Sequence, residues 1–386
     1  MREFSKKAMG LKPSGIRKFF DLANEIPDVI SLGVGEPDFD TPWMIREAGI
    51  QAIRRGKTFY TSNAGLAELR DEICTYTKRK TGLSYTADNV LVTVGGSEAI
   101  DLALRALLNP GDEVICVEPC FVSYAPCVTL ADGVPVVISL KEEDSFRLKR
   151  AQLEAAITPK TKVLMLSYPN NPTGAVMQRE DYEALLEVIL AHDLFVISDE
   201  IYSELTYEGV HCSIASLPGM QERTLIVQGF SKAFAMTGWR LGYALGPQEL
   251  IALMTKIHQF AIMCSPTISQ YAAVEALRSA DDEVEQMRES YDQRRRYLVY
   301  MLKELEIPCF EPFGAFYLFP HISRFGLSSE VFAERLLQEE KVAVVPGNAF
   351  GGCGEGFIRV SYATSIDELK KAMQRIKKFV VRLSGE

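Results

Sequence analysis

The chain has 386 residues, 47% hydrophobic and 24% charged, with a formal net charge of −9. At about 100–200 residues per domain this length predicts two or three domains, enough to bury a core without metal or disulfide staples. The acidic balance argues against a nucleic-acid partner, and no apolar run approaches the ~20 residues of a membrane span.

Strand and helix patterns alternate from about Val90 to Gly246. Strands are predicted at Val90–Val94, Glu113–Val117, Val134–Leu140, Lys162–Ser167, Leu194–Ser198, Thr224–Gln228 and Arg240–Gly246. Between them, Ile100, Ala103, Leu104, Leu107 and Leu108 recur at the spacing of one helix face, as do Tyr182, Leu185, Leu186, Ile189 and Leu190. Near-continuous Val, Ile and Leu strands between amphipathic helices predict an α/β fold with a seven-stranded, mostly parallel sheet covered on both faces. After Ser279 the pattern changes. Asp281 to Glu306 reads as one long, largely solvated helix, with Arg294-Arg295-Arg296 as a solvated face rather than an anion site. The remainder predicts a small α+β unit with strands at Ala315–Phe319, Val342–Val345 and Phe357–Val360, closed by a helix from Ile366 to about Leu383.

Several polar residues stand just past the ends of predicted strands, where open α/β sheets bind ligands. Gly95-Gly96-Ser97-Glu98 follows the first strand and opens a helix, whose free N–H groups suit an anion. Read alone it is an ordinary turn. Phe121 and Tyr124 follow the second strand and offer a ring to a flat heterocycle, or simply core packing. Ser167 to Gly174 is turn chemistry that includes the amide of Asn171. Asp199 ends an apolar strand, with Tyr202 three residues on; a helix cap is the plainer alternative. Lys232 follows the next strand among Phe230, Ala233 and Phe234, apolar neighbours that favour an uncharged, nucleophilic amine. Arg240 follows closely and could clamp a phosphate. Arg359 sits inside an apolar strand and needs either a structural acid or a substrate carboxylate. A lysine able to condense with an aldehyde and a carboxylate able to hold a pyridinium are the pair that pyridoxal phosphate chemistry requires.

Together these residues resemble the class I/II aminotransferases, fold type I of the pyridoxal phosphate enzymes. The resemblance runs through Ser31–Asp38, Tyr60–Gly65, Gly95–Ala99, Asn170–Gly174, Ser198–Tyr202, Ser231-Lys232, Arg240 and Arg359. It implies pyridoxal 5'-phosphate as cofactor, with Lys232, Asp199 and Tyr202 catalytic. Lys232 would condense with the cofactor and shuttle the proton, and Asp199 would keep the ring nitrogen protonated. Tyr202 and Asn171 would bond the ring hydroxyl oxygen, and Phe121 would stack on the ring. Gly96, Ser97, Glu98, Ser231 and Arg240 would form the phosphate end. Gly35, Asn171 and Arg359 would hold the substrate carboxylate. Tyr60 would reach the site of a neighbouring subunit, which implies a homodimer. It also implies a small domain built from both chain ends: 1–45 as arm and part of the small domain, 46–285 as the large domain, 286–386 as the small C-terminal domain.

The activity so implied is ping-pong transfer of an amino group from an L-amino acid, aspartate, aromatic or similar, to a 2-oxo acid such as 2-oxoglutarate. Ile16 to Phe20, Tyr124 and the Phe350 region are expected to line the side-chain pocket. A carbon–sulfur β-lyase on the same fold is the alternative. A pyridoxal-binding regulatory domain is more remote, because the resemblance begins near Pro13 and leaves no room for an upstream DNA-binding module. A nicotinamide enzyme would need a Gly-x-Gly-x-x-Gly run after an early strand. Eight scattered cysteines without a Cys-x-x-Cys pair, and a first segment without an apolar centre, predict a cytoplasmic protein. Four histidines without ligand spacing predict no metal.

Overall fold

The computed structural model describes residues 4–11 and 26–385. In chain order the strands are β1 (Ile30–Ser31), β2 (Val90–Thr93), β3 (Glu113–Glu118), β4 (Val134–Ser139), β5 (Thr161–Ser167), β6 (Phe195–Asp199), β7 (Thr224–Gly229), β8 (Gly242–Leu245), β9 (Tyr317–Leu318), β10 (Val342–Ala343), β11 (Val345–Pro346) and β12 (Ile358–Ser361). All seven strands predicted between 90 and 246 form, and they share one sheet in the order β2-β8-β7-β6-β5-β3-β4. Pairs among β3 to β7 are parallel, whereas β8 runs antiparallel to both β2 and β7. The reason is local. The chain returns from β7 to β8 through a loop whose only regular turn is Thr237–Trp239, and without a crossover helix it comes back in the opposite direction.

Alternate residues along each central strand enter opposite cores. Val163, Ile197, Leu225 and Val227 pack with the helix Gly96–Leu107, while Leu164, Leu166 and Val196 pack with Tyr182, Leu185 and Ile189 of the helix Arg179–Ala191. That period of two, with helices on both faces, explains why these strands read as unbroken apolar runs.

Elsewhere β1 pairs parallel with β10, which ties the segment before residue 32 to the C-terminal region. The strand expected over Val342–Val345 breaks at Val344, because β10 pairs with β1 while β11 joins β12 in a separate three-stranded sheet. The long helix forms over Asp281–Glu304, but it is not largely solvated. Arg294 and Arg295 are buried with Val284, Met287, Tyr291 and Leu298. Arg294 bonds Asp38 at 2.7 Å and lies near the rings of Phe39 and Tyr291. Arg295 donates to Asp292 at 2.8 Å, Glu311 at 2.9 Å and the Pro312 carbonyl at 3.1 Å. Only Arg296 meets the expectation of a solvated arginine, with a side chain 70% exposed. A guanidinium can be buried where its fan of donors is satisfied, and these partners lie far away in sequence. Among the described residues no helix is long and apolar enough to cross a membrane.

Candidate active site

A cavity of about 410 Å3 opens beyond the C-terminal ends of β2, β3, β5, β6 and β7. Gly95, Gly96, Ser97, Phe121, Asn171, Asp199, Tyr202, Ser231, Lys232, Arg240, Arg359 and Gly35 all line it. Residues from eight separate stretches of the chain meet in one place, five of them because the strands they follow end on the same side of the sheet.

At one end, the helix Gly96–Leu107 points its N-terminus into the cavity. Gly95 has φ +82°, and a Cβ there would stand 3.0 Å from Nη2 of Arg240, so only glycine lets the turn and the guanidinium share this corner. Nη1 of Arg240 donates to the Thr237 carbonyl at 2.8 Å. An N-terminal helix turn, an arginine and the hydroxyls of Ser97 and Ser231 form a seat for a multiply charged anion.

At the opposite end lies Asp199. Its Oδ2 accepts from the Tyr124 hydroxyl at 2.6 Å, and its Oδ1 accepts from the Ile201 N–H at 3.2 Å. Burial raises its pKa, and these two donors oppose that shift. Tyr124 was expected as a wall for substrate side chains; it lines the cavity, but its hydroxyl is engaged by Asp199.

Lys232 stands between the two ends. Its Nζ donates to the Gly35 carbonyl at 2.5 Å and lies 5.9 Å from the ring centre of Tyr202 and 5.8 Å from that of Phe316. Burial, reinforced by the positive charge of Arg359, pushes its pKa down to about 8. Tyr202 shares a hydrogen bond of 2.8 Å with the Tyr317 hydroxyl. Arg359 is buried, and burial lowers its pKa. Its Nη1 donates to Asn171 Oδ1 at 2.9 Å and its Nη2 to the Gly33 carbonyl, while Nε has no partner among the described residues. Its guanidinium carbon lies 4.5 Å from the ring centre of Tyr317 and 4.8 Å from that of Phe350.

Some expected residues are placed elsewhere. The Glu98 side chain turns away from the cavity, toward the Val94 N–H and His258. Tyr60 is 81% exposed and does not line the cavity. Phe350 is buried behind Arg359 rather than in the cavity wall. Ile16 to Phe20 lie outside the described residues. Sequence reasoning missed Tyr317, Glu36, Ser167 and Thr237, which also line the cavity. Tyr317 carried one usable signal, a phenol inside an otherwise apolar predicted strand. A Cβ on Gly35 would come 2.5 Å from its hydroxyl, so the two segments meet only because residue 35 is glycine.

The sequence pattern of the family described as "Aminotransferase class I and II" matches residues 27–376. The Bacillus subtilis (strain 168) protein YugH is 53% identical over 371 residues, covering 96% of each chain. An aspartate aminotransferase of Pyrococcus abyssi is 47% identical, covering 95% of this chain and 96% of its own. The crystal structure of an aromatic aminotransferase from Pyrococcus horikoshii OT3 superposes with a TM-score of 0.91 at 45% identity, covering 95% of this chain and 99% of that one. Enzymes of this family depend on pyridoxal phosphate. With the family pattern, full-length relatives and fold in agreement, this chain belongs to the class I and II aminotransferases and is an aminotransferase of fold type I.

Proposed function

We propose that the cavity takes pyridoxal 5'-phosphate, and that the enzyme moves an amino group from an L-amino acid, aspartate or aromatic, to a 2-oxo acid such as 2-oxoglutarate. One observation carries this reading: Lys232, Asp199 and Arg240 open into a single cavity with the helix N-terminus at Gly96. The donor set fits the group in charge and in shape. Gly96, Ser97, Ser231 and Arg240 would hold a phosphate, Phe121 would cover a flat ring, and Asp199 would hold a ring nitrogen. Tyr202 and Asn171 would bond the ring hydroxyl oxygen.

When bound, the cofactor supplies a conjugated electron sink beside the substrate α-carbon. The protein supplies the rest. Lys232, with its pKa near 8, keeps roughly a tenth of its amine uncharged at neutral pH. Its Nζ can therefore attack an aldehyde, then take and return the α-proton. Asp199, anchored by Tyr124 and the Ile201 N–H, would hold the ring nitrogen of the cofactor. Arg359, held by Asn171 and stacked on Tyr317, offers a planar fork to the substrate α-carboxylate. Gly35 lies on the same side of the cavity. The names of the relatives support aspartate or aromatic donors for this chain.

The working unit is proposed to be a cytoplasmic homodimer. Phe59 and Tyr60, each 81% exposed, and Phe260, 84% exposed, are aromatic side chains left in solvent on segments that touch. Hydrogen bonds from Thr267 to the Phe59 carbonyl and from Asn63 to the Met263 carbonyl hold these segments together. Such side chains suit a second copy of the chain, and Tyr60 would then reach the neighbouring cavity. Residues 1–45 with 286–386 would form the small domain, and 46–285 the large one; the β1–β10 pairing supports that division.

The deciding experiment is a donor panel with 2-oxoglutarate as acceptor. Glutamate formed from aspartate or an aromatic amino acid is the expected result. Release of pyruvate and ammonia from cystathionine, with no glutamate from any donor, would replace the reading with a β-lyase.

A further inference from the structure

Glu98 sits at the third position of the helix Gly96–Leu107, where an acid would be expected to meet the same N-terminus that seats the phosphate. Its side chain instead faces backward. Oε2 accepts the Val94 N–H at 2.5 Å, and Oε1 lies 2.9 Å from Nδ1 of His258. A carboxylate only accepts, so Nδ1 of His258 is the donor. His258 comes from the helix Gln248–Ala261, which packs against Gly96–Leu107, and it is 0% exposed. Its Nε2 is buried without a partner among the described residues. On the far side of the turn, Thr93 Oγ1 donates to the Gly95 carbonyl at 2.9 Å.

A half-buried acid and a buried imidazole are a costly way to join two helices, since apolar side chains of similar volume would pack the same surfaces without the desolvation penalty. What they do here that apolar groups could not is grip the Val94 N–H. That fixes the peptide leading into Gly95 and Gly96, both of which line the cavity at the helix N-terminus. Glu98 itself stays out of the cavity, where its negative charge would repel a phosphate.

Resting on the reading that this cavity takes pyridoxal phosphate, we infer that Glu98 and His258 are a positioning pair that sets the phosphate seat from behind, without touching the ligand. The pair aims the donors of Gly96 and Ser97 and so tunes affinity for the phosphate group in particular. His258 holds Glu98, and Glu98 holds the turn.

The test compares three probes on the full-length protein freed of cofactor: pyridoxal phosphate, inorganic phosphate, and pyridoxal, which lacks the phosphate. Binding is read by absorbance, or by competition for inorganic phosphate. His258→Phe and Glu98→Leu should weaken pyridoxal phosphate and inorganic phosphate about tenfold or more, as expected for losing a part-buried hydrogen bond to a charged group. Pyridoxal affinity should move less than about twofold. His258→Asn, which can still donate to Glu98, should recover most of the loss, and it keeps the test decisive if Glu98→Leu does not fold. Equal weakening of pyridoxal and pyridoxal phosphate, or no weakening of either, would overturn the inference while leaving the cavity reading intact. If the unaltered protein binds pyridoxal phosphate no better than pyridoxal, the cavity reading itself fails and takes the inference with it.

Discussion

Tyr124 donates its phenolic hydrogen to Oδ2 of Asp199 across 2.6 Å, joining the helix after β3 to the last residue of β6. Both groups are buried. The bond therefore works in a medium where losing a partner is expensive, and it opposes the upward shift that burial imposes on Asp199. Removing it with Tyr124→Phe should raise the Asp199 pKa further. The acidic limb of the kcat/KM profile should then move to higher pH, with kcat/KM about tenfold lower at neutral pH. A profile superimposable on that of the unaltered enzyme would show that the hydroxyl does not govern the carboxylate.

Lys232→Ala should bind pyridoxal phosphate yet carry no label on residue 232 after borohydride reduction and peptide mass spectrometry. Turnover should drop by at least about a thousandfold. Ordinary turnover by this variant, without added amines, would remove Lys232 from the chemistry.

The lysine also predicts a pH dependence. Its pKa falls from 10.5 to about 8 because burial and the charge of Arg359 disfavour the ammonium. Below that value the rate of covalent capture of pyridoxal phosphate should rise about tenfold per pH unit, then level off above it. Stability should respond with the same sign. Between about 8 and 10.5 the unfolded chain holds this proton and the folded chain does not, so the contribution of Lys232 to stability improves as pH rises through that window. Stopped-flow absorbance checks the first expectation. Comparing the pH dependence of denaturant midpoints between the parent and Lys232→Met checks the second.

Arg359→Lys keeps the charge but loses the fork, the contact to Asn171 and the stacking on Tyr317. KM for the amino donor should rise about ten- to a hundredfold, with kcat changed only a few-fold. Steady-state kinetics with two donors of different side chain should show the same factor for both, since the α-carboxylate is common to them. A loss confined to one donor would assign Arg359 to side-chain recognition.

Arg295 is structural, and its substitution should act on stability. Arg295→Ala empties a buried site, takes the donor from the Pro312 carbonyl and leaves Asp292 with Arg296 as its remaining guanidinium partner, and should cost about 3 kcal/mol in denaturant unfolding. Arg296→Ala, on the exposed side of the same helix, removes an ion pair of 2.6 Å to Asp292, which Arg295 still holds, and should cost no more than about 1 kcal/mol. Equal, small effects would restore the solvated face that composition alone suggested.

Six of the seven strands were legible because burial on both faces leaves continuous Val, Ile and Leu runs, and the edge strand β4, with Val134 and Val137 exposed, through its β-branched residues; the strand ends pointed to Lys232 and Asp199 because parallel strands finish on one side of a sheet. The reversed direction of β8 was readable in principle from its short connection to β7. By contrast, nothing local could reveal that Arg294 would be buried by Asp38, 256 residues away, or that Tyr317 would meet Tyr202 across 115 residues. Glu98 shows the same limit at closer range: its position at a helix N-terminus was plain, but the direction of its carboxylate was set by His258 on another helix. Sequence by itself determined which segments become strands and which chemical groups stand at their ends, since those follow from local periodicity. The tertiary structure decided which way each polar side chain faces and which charges can be buried, because a charge leaves water only where the folded chain brings it a partner.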